Sequence, residues 1–145
     1  MRKDDWFMAY CSMSEDEKYL YREFEMKEAD KINLKIYKRM YDAVILMSLD
    51  YENQITSLPR DINVPDEIAL LFDDEVIAVK EMLYKNGMLS LDNCNIIKII
   101  EMKLSEMGNS KNKNFWTLDG LKQSKLWEEC RENARVLLSS LPRLD

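Results

Sequence analysis

Residues 32–47, INLKIYKRMYDAVILM, carry the pattern that sets the fold class. Ile32, Ile36, Met40, Ala43 and Met47 recur at steps of four, four, three and four, and Tyr37, Tyr41 and Val44 widen that stripe. This is the rhythm of one apolar face on an α-helix, and it predicts a buried helix. On its N-terminal side, Ser14 and Glu17 have the S-x-x-E spacing in which each side chain satisfies the other's free backbone amide, so a helix is expected to start there. Asp30 can cap a second helix, and a break or kink near it is expected between Ser14 and Gln54.

On the C-terminal side, residues 57–67, SLPRDINVPDE, hold two prolines six positions apart, and each disfavours α geometry in the residue before it. A loop is expected there, with Pro65 in the first turn of the next helix and Asp66 and Glu67 at its positive end. Phe72, Val76, Val79 and Leu83 continue that helix to Gly87, which suits a left-handed terminus. Ser90 and Asp92 open another, with a stripe of Ile97, Ile100, Leu104 and Met107 that ends at Gly108 in the same way. The two should form a helical hairpin over 66–108. After the polar linker 109–114, Thr117 can cap a short turn carrying Leu118 and Leu121, and Ser124 can cap the last helix. There Trp127, Cys130, Ala134, Leu137, Leu138 and Leu141 share one face, and Glu128, Arg131, Glu132 and Arg135 alternate in charge on the other.

Composition agrees with helices. Only 3 Gly and 3 Pro serve 145 residues, too few for the many short turns of a β-sandwich or barrel. The expectation is an all-α, compact single-domain bundle of about five to six helices. It comprises an N-terminal segment 1–13, helices over 14–56, the hairpin over 66–108, and a short turn plus C-terminal helix over 115–141.

Chemistry is narrowed by what is missing. With no histidine, the Ser-His and Cys-His nucleophile pairs, histidine zinc sites and Glu-x-x-His di-iron sites are excluded. The three glycines stand singly, so no glycine-rich loop can cradle a phosphate. Cys11, Cys94 and Cys130 are far apart and form no CxxC pair, which suggests buried reduced thiols rather than disulfides or a zinc knuckle. The opening MRKDDWFMAY has two acids where a secretory signal would begin its apolar region, so a cytoplasmic, soluble protein is expected. Glu25-x-x-Glu28 supplies the first half of the Mg²⁺ site of all-α nucleoside triphosphate pyrophosphohydrolases, but no E-x-x-D follows it. That enzyme stands as a lesser alternative. Asp73, Asp74 and Glu75 lack the spacing of an EF-hand loop and read as a helix start.

Charge is the most informative feature. The chain carries a net −6, which argues against binding nucleic-acid phosphates. From residue 61 to 81, Asp61, Asp66, Glu67, Asp73, Asp74, Glu75 and Glu81 stand against Lys80 alone, so this segment accounts for the whole net charge. Such a run is either a solvated face with helix N-terminal acids or a docking surface for a basic protein. Trp116 can serve core or partner. Tyr19, Tyr21, Tyr37, Tyr41, Tyr51 and Tyr84 supply further candidate anchors or core.

Residues 65–107, PDEIALLFDDEVIAVKEMLYKNGMLSLDNCNIIKIIEMKLSEM, followed by FWTLDGLKQSKLWEECRENARVLLSSL at 115–141, resemble a group of small bacterial immunity proteins. These are encoded beside polymorphic or contact-dependent growth inhibition toxins. The shared features are an acidic helix, a helical hairpin, the FWTLDGL turn, and a last helix with Trp, Arg and Ala before its leucines. The resemblance implies a non-enzymatic protein without cofactor or metal, which blocks one cognate toxin domain, often a nuclease. The docking residues expected on this reading are Asp61, Asp66, Glu67, Asp73, Asp74, Glu75, Glu81 and Trp116. A helical adaptor or regulator from a phage or mobile element is the alternative.

Overall fold

The computed structural model describes residues 5–144. Among them are nine α-helices and no strand: α1 (Asp5–Cys11), α2 (Glu15–Phe24), α3 (Glu28–Ser48), α4 (Tyr51–Thr56), α5 (Val64–Phe72), α6 (Lys80–Lys85), α7 (Leu91–Asn109), α8 (Leu118–Gln123) and α9 (Lys125–Ser140). The all-α expectation holds, with the chain cut more finely than into five or six pieces. The N-terminal segment contains α1; residues 1–4, which begin the stretch MRKDDWFMAY, lie outside the described residues. Among the described residues no helix is long and apolar enough to cross a membrane.

The break expected near Asp30 falls earlier, across 25–27. Lys27 is extended (φ −67°, ψ 150°), and Asp30 lies inside the first turn of α3 rather than capping it. This parts Glu25, the C-cap of α2, from Glu28, the first residue of α3, so the Glu25-x-x-Glu28 pair does not lie on one helix. A second break follows Ser48, where the Asp50 carboxylate accepts the Asn53 amide at 3.0 Å and starts α4. Ser14 and Glu17 form the expected reciprocal cap on α2.

In α3, Tyr37, Met40, Ala43, Val44 and Met47 are buried, whereas Ile32 is 57% exposed because its turn reaches beyond the core. α9 packs against both α3 and α7. Its Trp127, Cys130, Ala134 and Leu137 are fully buried. Trp127 donates its indole N–H to the Phe115 carbonyl at 2.8 Å, so the ring contributes its apolar area, about 4–6 kcal/mol before entropy, without a buried orphan donor.

Arg131, expected on the charged outer face, is only 2% exposed. Its Nε donates to Glu128 at 2.8 Å, Nη1 to the Gln54 side-chain oxygen at 3.1 Å and Nη2 to the Leu121 carbonyl at 3.1 Å. Gln54, itself fully buried, donates to the Leu46 and Met47 carbonyls at the end of α3. One guanidinium therefore ties α9, α8 and α4 together, and through Gln54 it also reaches the C-terminus of α3.

The hairpin turns at Gly87, whose φ of 73° favours glycine. The Met88 amide reaches the Leu83 carbonyl and the Gly87 amide that of Tyr84, the paired bonds of a Schellman terminus. Gly108 does not repeat this. It lies within α7 at ordinary helical φ, and the helix runs on to Asn109. Thr117 caps α8 through the Gly120 amide at 3.0 Å. Ser124 occupies the N-cap position of α9 but makes no side-chain cap, and its buried hydroxyl finds no partner among the described residues.

Candidate docking surface

The helical part of the acidic segment starts from its N-cap Asn63, which does two things at once. Its side-chain oxygen accepts the Asp66 amide at 3.1 Å and caps α5, while its Nδ2 donates to the Trp116 carbonyl at 3.3 Å. Asp66 and Glu67 thus sit in the first turn of α5, where the helix dipole favours carboxylates, and the α5 N-terminus is moored to the turn that carries Trp116.

Beyond Phe72 the backbone does not start a new helix, as the sequence suggested for Asp73, Asp74 and Glu75. It widens into a π turn over Asp73–Ile77, closed by the Ala78 amide on the Asp73 carbonyl at 3.0 Å, and continues in right-handed helical geometry into α6. The reason lies in the apolar spacing. Val64, Ile68, Phe72 and Val76 are all buried and stand four apart. Each such step overshoots an ideal α-helix by about 40°, and a turn that takes more residues cancels the drift.

The opposite face follows from the same geometry. Asp66, Leu70, Asp73, Asp74, Ala78, Glu81 and Tyr84 are exposed and recur at helical steps along one rod. From Asp66 to Glu81 the rise is about 22 Å. Among the described residues none of the seven acids expected at the site forms an ion pair. Glu75 departs from this stripe. It is half-buried and borders a 250 Å³ cavity with Arg39 and Asp42 of α3.

Asp61 lies in the loop before α5, between Arg60 and Ile62, which line a groove of about 610 Å³ with Ile55, Pro59, Pro65, Trp116 and Leu118. Trp116 is half-buried and meets Trp127 edge-on at 5.7 Å, so it belongs partly to the core while its other side lines the groove. The structure therefore gathers Asp61, Asp66, Glu67 and Trp116 at one end and strings Asp73, Asp74 and Glu81 along the rod. Of the six candidate tyrosines, Tyr37 is fully buried, Tyr21, Tyr41 and Tyr51 are half-buried, and Tyr19 and Tyr84 are exposed. Tyr84 alone continues the acidic stripe.

Leu70 was missed. Not singled out in the sequence, it is 56% exposed in the middle of the acids. Its position four residues from both Asp66 and Asp74 was the available signal.

Among the described residues no three Cys, Asp or Glu side chains converge at metal-ligating spacing. Burial raises the pKa of all three thiols, that of Cys130 to about 12. Cys130 is therefore a protonated core residue at neutral pH rather than a nucleophile. The outer face of α5 and α6 presents exposed carboxylates with Leu70 and Tyr84 set among them and Lys85 at its end. No protein-family model matches the chain, and no curated protein or solved structure does either.

Proposed function

We propose that this chain is a non-enzymatic, protein-binding inhibitor: an immunity protein that neutralises a cognate bacterial toxin by laying the acidic face of α5 and α6 on a basic surface, such as the phosphate-binding site of a nuclease. The observation that carries the reading is the outward stripe from Asp66 to Tyr84, where carboxylates that form no ion pair among the described residues flank an exposed leucine and tyrosine. Concentrated charge of one sign speeds encounter with an opposite surface and rejects like-charged partners, and apolar side chains within it supply the contact that slows release. The resemblance of residues 65–141 to immunity proteins supports the same reading.

The test starts from the adjacent gene. An immunity gene should directly follow a toxin gene, and the toxin domain should bind this protein in calorimetry at low salt. Charge reversal in D73K/D74K/E81K should weaken that binding roughly tenfold or more, with a flatter salt dependence. Unchanged affinity of the triple variant, or a gene neighbourhood without a toxin, would sink the proposal.

A further inference from the structure

Among the described residues of this acidic chain, one groove gathers four cations along its border. A groove of about 530 Å³ lies between α3 and the α1–α2 arm, bordered by the cations Arg22, Lys35, Lys38 and Arg39 and by two carboxylates, Glu15 and Asp42. Asp42 is engaged by Lys38 at 3.4 Å. Among the described residues Lys35 and Arg39 have no acidic partner. Arg39 stands at the edge, since it also borders the small cavity beside Glu75. Arg22 is held in place by donating to the buried Tyr10 hydroxyl at 2.5 Å.

A second observation comes from behind the groove. Lys18 is only 3% exposed, and its ammonium carries three donors. Among the described residues the Leu144 carbonyl is its one hydrogen-bond acceptor; Glu15 lies at 3.9 Å and the Tyr10 ring centroid at 5.5 Å. Leu144 and Tyr10 both line the groove, so Lys18, which lies behind that lining and is paired with Glu15, places a further ammonium close to it. The wall on α3 is apolar, formed by Leu34, Tyr41 and Ile45. The volume lies within the range of small-molecule sites, about 300–1,000 Å³.

We propose that this groove binds a small organic anion, its carboxylate or phosphate held by Arg22, Lys35 and Arg39 and its apolar body laid against Leu34, Tyr41 and Ile45. This site is independent of the acidic face, and its test needs no toxin. The protein would be titrated at low ionic strength with phenyl phosphate, benzoate and inorganic phosphate while backbone amide shifts are followed by NMR. Shifts are expected at Lys35, Arg39, Tyr41 and Ile45. Phenyl phosphate should bind about tenfold more tightly than inorganic phosphate, because only it has an apolar body to bury. Whichever of phenyl phosphate and benzoate binds more tightly identifies the head group. The K35Q/R39Q variant alters two exposed side chains and should keep the wild-type circular dichroism, while its affinity falls roughly tenfold. Three results would each overturn the proposal: shifts spread over the exposed lysines Lys111, Lys113 and Lys125, undiminished binding by K35Q/R39Q, or tighter binding of the acidic peptide Glu-Glu-Phe-Glu-Glu than of any small anion. The last would make the groove a protein-docking site.

Discussion

Arg131 and Gln54, 77 positions apart in the chain, join side chain to side chain at 3.1 Å in the interior. Gln54 turns its amide nitrogen to the Leu46 and Met47 carbonyls, and Arg131 turns its remaining donors to Leu121 and Glu128. A buried cation of this kind is held by geometry, and removing one partner leaves the others without bonds. R131M should therefore lower stability by about 3 kcal/mol in urea denaturation. In the double variant Q54L/R131M the second change should cost less than it does alone, since its partner is already gone. Strictly additive losses would show that the pair is not coupled.

Gly120 is required for a close approach. A Cβ at this position would stand 1.8 Å from the Asn114 carbonyl oxygen, which already accepts the Thr117 hydroxyl at 2.8 Å. G120A should displace the turn over Lys113–Trp116, costing about 2 kcal/mol. It should also disturb the Trp116–Trp127 pair, so near-ultraviolet circular dichroism should change with the melting temperature. A variant with the wild-type spectrum and melting point would contradict this account.

Asp73 and Asp74 make no ion pair among the described residues and are exposed. D73N/D74N should stay within about 0.5 kcal/mol of wild-type stability, while association with a basic partner weakens. Thermal melts beside a binding titration across a salt series separate the two effects. A large loss of stability would assign these acids to the fold rather than to recognition.

The Glu128 carboxyl titrates below its ordinary 4.5, chiefly because the Arg131 guanidinium bonds it, with Arg135 assisting. A depressed carboxylate contributes stability that is fully present above its unfolded pKa and is lost as pH falls through the folded one. Stability should therefore decline as pH drops below 4.5, and E128Q should flatten that decline in melts recorded from pH 6 to 3. An identical slope in E128Q would place the acid sensitivity elsewhere.

How much of this was legible in the sequence depended on whether local rules decided the outcome. The caps at Ser14, Ser90 and Thr117 and the left-handed Gly87 follow from side chains acting on neighbouring amides, and each was readable. Gly108 was misread because a glycine near a helix end need not terminate it when the backbone carries on in α geometry. Arg131 was placed outside because its charge pattern with Glu128, Glu132 and Arg135 is that of a solvated face; its interior partners, the Gln54 side chain and the Leu121 carbonyl, lie on other helices. The acidic segment was visible as charge, but its division into an outward row and a Glu75 turned toward α3 depends on the wide turn, which no residue type announces.

That wide turn has a further meaning. Loss of a residue from an ordinary helix swings everything beyond it by about 100°. At Asp73–Ile77 the chain already carries one residue more than α pitch requires, so omitting Asp74 would relax the segment to regular pitch and leave Val76 and Leu83 directed inward. The interior has no need of the surplus position. Its visible product is a second aspartate side by side with the first, a feature the hydrophobic framework could surrender without loss.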